Sequence, residues 1–376
     1  MDFSFTEEQT LLRNTVQSLL ADKYDFDTRR KVTKTAEGWR PEMWAQFAEL
    51  GLLAAPFSEE LGGLGGGPIE NMIVMEEFGR HLVVEPYVET VVIAGGFLRE
   101  GGTAAQQEAL IPGIVGGETV WAFAYAEPQG RYNLADLTTT AKKDGSGYTI
   151  NGYKAVVLGA PWARKLIVTA RTSGGQRDRD GVSVFIVDKS AAGVSTRDYP
   201  TVDGRRASEI TFENVKVGAD ALIGAEGKGL PLVEKITDEA IAALSAEAIG
   251  CMKELNAATV EYCKTRKQFG VPIGKFQVLQ HRMVDMFMAY EQSVSMTYMV
   301  NLKLSEAEAE RVKAAAGAKV QIGKAGRFVG QQAVQLHGGM GMTDELNVGH
   351  YFKRLTMIDT QFGNVDHQLK RYSEAA

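Results

Sequence analysis

Cysteine is scarce, with only Cys251 and Cys263 in 376 residues. That excludes a disulfide framework. The two lie on one predicted helix and read as core positions. Histidine is also rare: His81, His281, His337, His350 and His367. None stands in His-x-x-x-His or Glu-x-x-His spacing, so no helical-bundle metal centre is read, and local sequence suggests no Ser-His-Asp arrangement. Basic charge is not in excess: the net charge is −6, which gives no support to a nucleic-acid partner, whose phosphates demand a basic face. No apolar run reaches the roughly 18 residues of a membrane span. The opening stretch Met1-Asp2-Phe3-Ser4-Phe5-Thr6-Glu7-Glu8 has no signal-peptide pattern, so the cytoplasm is the expected compartment.

What is present is an ordinary globular balance, 44% hydrophobic and 23% charged. The length exceeds one compact core and predicts two or three domains. Three textures follow one another. Residues 1–118 read as helical. Thr6 is a good N-cap, Glu7 and Glu8 suit a first turn, and Leu11, Leu12, Val16, Leu19 and Leu20 recur at helical spacing. A second helix opens at Pro41 and closes before Gly51, with Met43, Trp44, Phe47 and Leu50 as its stripe. Asn71–His81 and Glu89–Arg99 also read as helices.

Residues 119–225 change period. Short β-rich runs are separated by Asp144-Gly145, Asn151-Gly152, Gly174-Gly175 and Asp203-Gly204. Asn151-Gly152 between two such runs predicts a hairpin. The segment is expected to be a small antiparallel β-barrel or sandwich. From 226 to 376, Leu230–Lys267, Phe276–Leu304 and Ala307–Leu336 are long periodic stretches, predicting a four-helix-type bundle. The fold class is therefore α+β, ordered helical, β, helical.

The run Gly62-Gly63-Leu64-Gly65-Gly66-Gly67 follows no strand and ends in no Gly-Lys-Ser/Thr, so it reads as an interhelical turn rather than a phosphate loop. Two later stretches carry more. Arg266-Lys267-Gln268-Phe269-Gly270-Val271-Pro272-Ile273, then Phe276-Gln277 and Gln280-His281, make a corner that fits either a plain turn or a guanidinium fork and amides aimed at a phosphate. Gln335-Leu336-His337-Gly338-Gly339-Met340-Gly341 ends a helix in three glycines within four residues, where a C-cap needs one.

Together these residues resemble the acyl-CoA dehydrogenase family, whose pattern Arg-x-Gln-Phe-Gly-x-Pro-Ile, Phe-Gln-x-x-Gln-His and Gln-x-x-Gly-Gly-x-Gly is met in order and at family spacing. The resemblance implies FAD lying between two subunits. One subunit's β-domain cradles the flavin ring, and its neighbour grips the pyrophosphate and adenine. It assigns the pyrophosphate to Arg266, with Gln268 and Phe269 beside it, and the ADP portion to Gln335, Gly338 and Gly339.

The flavin-ring pattern departs from the family. Where members carry Thr-Glu-x-x-x-Gly-Ser-Asp, this chain has Ala126-Glu127-Pro128-Gln129-Gly130-Arg131-Tyr132-Asn133. Where they carry Asn-Gly-x-Lys-x-Trp-Ile-Thr-Asn, it has Asn151-Gly152-Tyr153-Lys154-Ala155-Val156-Val157-Leu158-Gly159. A flavin-packing aromatic has become Val156 and a hydroxyl has become Leu158. A polar flavin atom left unpaired there would cost about 1–3 kcal/mol. The catalytic glutamate of most members falls at Phe362, and that of others at Ala240, so the catalytic residue is not assigned. Glu239, one register away, Asp238 and Glu247 are the nearby carboxylates.

The pattern resembles the small subunit of heteromeric acyl-CoA dehydrogenases of the pimeloyl-CoA or steroid side-chain type. It implies an FAD-dependent α,β-dehydrogenation of an acyl-CoA thioester in lipid or steroid catabolism. It further implies a larger homologous partner in a heterotetramer, or else a homo-oligomer, and an electron-transfer acceptor protein. Competing expectations are a self-sufficient dehydrogenase with a relocated carboxylate base, a flavin oxidase or monooxygenase of the same fold, and a non-enzymatic scaffold, against which the intact Arg266 corner argues.

Overall fold

A computed structural model describes residues 4–375. The chain forms two compact units. One gathers the described residues up to Lys31 with Pro68–Val83 and Ile241 onward; the other joins Val32–Gly67 to Val84–Ala240.

The first unit is helical. Glu7–Lys23 begins with a complete capping box, Gln9 N–H donating to Thr6 Oγ1 and Thr6 N–H to Gln9 Oε1, both at 3.1 Å. Its buried face is Val16, Leu19 and Leu20, whereas Leu11 is 67% exposed. Leu11 stands about 100° round the helix from Leu12 and so falls off the stripe that Val16, Leu19 and Leu20 continue. Pro68–His81 packs on this helix. Residues 241–265 end the long helix Leu230–Thr265; then Gln277–Lys303 turns back along Glu308–His337, on which Asn347–Thr360 and Val365–Glu374 also lie.

The second unit holds the sheet. Its strands are β1 Trp121–Ala124, β2 Thr140–Asp144, β3 Gly147–Leu158, β4 Lys165–Arg171, β5 Val182–Asp188, β6 Val194–Pro200, β7 Arg206–Gly218 and β8 Leu222–Ile223. The order is β6-β7-β3-β2-β4-β5-β8, with β1 attached to β4. The path is open at β6 and β8, so the expected barrel does not close. β1/β4 and the single Thr140–Arg171 pair are parallel, so the sheet is not wholly antiparallel. Alternate apolar residues such as Ile150, Val168, Val184, Ile210 and Phe212 are buried.

Asn151-Gly152 is not a hairpin. β3 runs straight through it with a bulge, and the hairpin forms at Asp144–Gly147 instead. Gly152 serves close packing: a Cβ there would stand 2.4 Å from Thr139 Oγ1, and Asn151 Oδ1 takes the Asn214 amide across the ladder at 2.8 Å.

Pro41–Glu49 buries Met43, Trp44 and Phe47 but ends before Leu50, which stays 43% exposed. The helix expected over Glu89–Arg99 opens as a π-turn, Val88–Ala94, and continues as Gly95–Gly101. In the glycine run the amides of Gly62, Gly63, Gly65 and Gly66 donate to the backbone oxygens of Glu59, Ser58, Phe57 and Ala55. Those donors are spent inside the turn, which leaves it a turn and not an anion cradle.

Candidate functional site

In the helical unit, the helix Leu230–Thr265 ends at a two-residue hairpin, β9 Lys267–Gln268 against β10 Val271–Pro272. The loop residues Phe269 and Gly270 both have positive φ, 53° and 81°, the conformation that a tight hairpin demands and that favours Asn or Gly. A phenylalanine there is strained, and its ring is 90% exposed. Arg266 N–H continues the helix to the Tyr262 carbonyl at 2.8 Å, and Ile273 N–H returns to the Arg266 carbonyl at 2.9 Å, so the corner is rigid.

One turn before Arg266, the Tyr262 ring packs on His337 with centroids 4.4 Å apart. That contact places the end of Leu230–Thr265 against the end of Glu308–His337. His337 is buried, held by the Ala333 carbonyl at 2.8 Å, and burial pushes its imidazole pKa down. Just beyond it, Gly338 has φ 59 and ψ −140, which only glycine adopts readily. A Cβ added at Gly338 or Gly339 would meet nothing within 4 Å. Gly339 has neither crowding nor a positive φ to require glycine, so an open face remains for something outside the chain. Arg266, Gln268 and Gln335 are exposed, and their side chains make no hydrogen bond or ion pair among the described residues. An uncommitted guanidinium, two amide side chains, an exposed ring and Cβ-free backbone are a donor set suited to a pyrophosphate and the groups around it.

The counterpart in the sheet unit is committed elsewhere. Glu127 Oε1 accepts from Lys154 Nζ at 2.8 Å, and Oε2 takes Thr138 N–H at 2.7 Å and Thr138 Oγ1 at 2.5 Å; Lys154 also donates to the Tyr125 carbonyl and Thr169 Oγ1 at 3.2 Å. Burial pushes the Glu127 carboxyl up, but the Lys154 charge and the Thr138 bonds outweigh it and leave it at about 2. Burial lowers the Lys154 ammonium, partly opposed by Glu127, to about 8. This pair ties the 127–139 loop to β3. Val156 occupies a bulge in β3 at φ 51 and is 48% exposed. Its backbone is bound to Glu209, whose carboxylate also takes the hydroxyls of Tyr199, at 2.7 Å, and Tyr153. Val156 and Leu158 offer no polar side chain, so this end does not fit a flavin ring, whereas the Arg266–Gly339 end fits the ADP portion.

The carboxylates near the expected base positions are buried or bound to an arginine. Glu247 is gripped by Arg354, and both side chains are at most 3% exposed. Glu239 accepts from Arg99 Nη2 at 2.6 Å; burial raises its pKa against the Arg99 charge. Asp238 and Ala240 are fully buried. Phe362 is buried in a left-handed conformation, φ 55. Its loop is strapped by Lys319 Nζ, which donates to the carbonyls of Ile358, Asp359 and Gly363 at 2.7, 2.9 and 3.0 Å, and by Gln368 Nε2 on the Phe362 carbonyl at 2.6 Å. Arg354, Arg99 and Lys319 lie far along the chain from the groups they hold. No local motif marks them.

The chain thus runs from a helical segment through a mostly antiparallel sheet to a helical bundle whose Arg266 corner has donors to spare. Family models match along the chain: acyl-CoA dehydrogenase N-terminal domain at 6–118, middle domain at 122–215 and C-terminal domain at 227–376. The probable acyl-CoA dehydrogenase YngJ of Bacillus subtilis is 30% identical over 373 residues, 98% of this chain and 97% of that one. Among solved structures, the Tcur3481-Tcur3483 steroid ACAD is similar at 29% identity and TM-score 0.89, covering 98% of this chain and 97% of that one. The ChsE4-ChsE5 complex of Mycobacterium tuberculosis is similar at 25% identity and TM-score 0.91, covering 100% and 98%. The chain belongs to the acyl-CoA dehydrogenase family. Among the described residues no helix is long and apolar enough to cross a membrane.

Proposed function

We propose that this chain is the small subunit of a heteromeric, cytoplasmic acyl-CoA dehydrogenase that introduces an α,β double bond into an acyl-CoA. It lends Arg266, Gln268, Phe269, Gln335, Gly338 and Gly339 to the ADP portion of an FAD whose ring and catalytic base belong to a larger homologous partner. The observation that carries this reading is the contrast between the two ends. Arg266, Gln268 and Gln335 are uncommitted, whereas Glu127 and the carboxylates near the base positions are buried or ion-paired and Val156 offers no polar side chain. FAD supplies the hydride-accepting chemistry; this chain binds and orients its nucleotide end.

An exposed apolar band supports a partner. Phe269, Phe276, Val278, Val284, Phe287 and Met288, on the hairpin and on Gln277–Lys303, are each 37–90% exposed. Exposed apolar residues gathered on one segment suit a protein interface. Two of the similar solved proteins, Tcur3481-Tcur3483 and the ChsE4-ChsE5 complex, pair two chains, and the first is a steroid ACAD, which favours a bulky acyl group. The same reading keeps domains at 1–118, 119–225 and 226–376, and passes electrons to an electron-transfer acceptor protein.

A second reading, a self-sufficient dehydrogenase using Glu239, rests on that carboxyl's raised pKa and its 12% exposed side chain. The chain expressed alone separates the two. Near-zero bound FAD, restored to about one per pair of chains by a larger homologue, is the expected result. One tightly held FAD per chain, bleached anaerobically by an acyl-CoA and lost in Glu239→Gln, would establish the second reading instead.

A further inference from the structure

Glu89 and Arg205 form a buried ion pair that no motif above includes. Both side chains are 5% exposed, with Arg205 Nη1 donating to Glu89 Oε1 at 3.1 Å. Each keeps one buried polar atom without a hydrogen-bond partner among the described residues: Glu89 Oε2, an acceptor, and Arg205 Nε, a donor.

Both side chains are held in place by their elements. Glu89 lies in the π-turn Val88–Ala94, a rare geometry that gathers at functional sites. Its neighbour Thr90 exchanges hydrogen bonds with the Trp121 backbone at 3.0 and 3.2 Å. Arg205 closes the turn between β6 and β7, its carbonyl accepting from Thr201 N–H at 2.9 Å. In the β3/β7 ladder Leu158 faces Ala207, and Gly159 N–H donates to the Arg206 carbonyl at 3.0 Å. Gly159, at φ 70, passes so close that a Cβ would stand 3.4 Å from Glu89 Cγ. The pair therefore lies at the end of β3, beside Leu158.

One ion pair thus keeps a carboxylate oxygen and a guanidinium N–H without a partner among the described residues, and a group that donates to the first and accepts from the second is a hydroxyl. An anion would be repelled by Glu89 and a cation by Arg205, and an apolar group would leave both atoms unpaired. We propose that Glu89 and Arg205 form an internal site for a hydroxylic ligand. The hydroxyl can come from a bound water or from an acyl group that carries one. The second source rests on the acyl-CoA reading above, the first does not.

The test is a high-resolution crystal structure of the full chain with its partner, soaked with butyryl-CoA and separately with 3-hydroxybutyryl-CoA. Dissociation constants for both probes are measured in parallel. An isolated oxygen bridging Glu89 Oε2 and Arg205 Nε in both crystals identifies water. Density continuous with the acyl chain in the second crystal identifies the substrate. It is expected with about tenfold tighter binding of the hydroxylated probe, abolished in Glu89→Leu/Arg205→Leu, which strips both groups without stranding a charge. Either result supports the site. The inference is overturned if both atoms are bonded to protein groups, or if the space between them is empty in every map; the wild-type maps decide this even where the double variant fails to fold. A bridging water with no binding of either probe would keep the site and overturn an acyl group of this length as the source of the hydroxyl.

Discussion

Glu247 and Arg354 meet as a two-pronged ion pair, Nε on Oε1 at 2.6 Å and Nη2 on Oε2 at 2.7 Å, closed from solvent. The pair joins two helices 107 residues apart in sequence. A carboxylate closed from solvent and held on both oxygens by a buried guanidinium is not within reach of a substrate carbon, which makes Glu247 a structural group.

Glu247→Gln strands the Arg354 charge, and removal of one partner of a buried pair costs about 3–5 kcal/mol. Urea unfolding is expected to register that loss, while Glu247→Leu/Arg354→Leu recovers most of it. In the reconstituted complex, turnover per folded molecule is expected to stay near wild type in the double variant. A loss of turnover by orders of magnitude without a loss of stability in Glu247→Gln would make it a base after all.

The sequence showed the order of helical and β segments because their hydrophobic periods differ, and it showed the Arg266 and Gly338 stretches because their residues are contiguous. It misplaced the Asn151-Gly152 turn. A glycine required by contact with Thr139 looks, in one dimension, like one required by a hairpin. It also could not show that Glu247, Glu239 and Glu127 are spoken for. Their partners Arg354, Arg99 and Lys154 lie 27 to 140 residues away, and only the fold brings them within hydrogen-bond distance.

Glu127 and Lys154 give the chain a defined acid response. The Glu127 carboxyl is depressed to about 2 from 4.5, so its stabilisation is complete above about pH 4.5 and is lost as pH falls towards 2. The shift corresponds to about 3 kcal/mol. The Lys154 ammonium is depressed to about 8 from 10.5, which makes stability rise between pH 8 and 10.5, where the unfolded chain binds the extra proton. Unfolding free energies of wild type and Glu127→Gln are expected to converge between pH 4.5 and 2. A gap that stays constant through that window would mean that the carboxylate's charge is not what Lys154 requires.

Phe269 sits in a left-handed conformation with its ring 90% exposed and only edge-on to Phe276, centroids 6.1 Å apart, so it contributes little to the packing of its own unit. Phe269→Asn, which suits that turn position, is expected to raise the stability of the isolated chain by about 0.5–1 kcal/mol. The same change is expected to weaken FAD retention or subunit association in the complex, read by flavin release on dilution. Lower stability of the isolated chain would show that the ring has an internal role.

Gly339 separates a structural requirement from a ligand requirement. Gly338 needs glycine for its φ of 59, so alanine there is expected to destabilise the chain itself. Gly339 has open space and an ordinary φ, so Gly339→Ala is expected to leave unfolding unchanged or more stable by about 0.4–1 kcal/mol through the unfolded chain. A ligand lying against that backbone would feel the added methyl at once. Arg266→Met removes the charge at the same corner, with no internal bond to lose. Both variants are expected to fold as wild type yet release FAD from the reconstituted complex at least tenfold more readily, measured by flavin fluorescence after dilution. If both retain FAD as wild type does, the corner is only a turn and the shared nucleotide site is wrong. If Gly339→Ala unfolds more easily, the glycine pair belongs to the helix end and says nothing about a ligand.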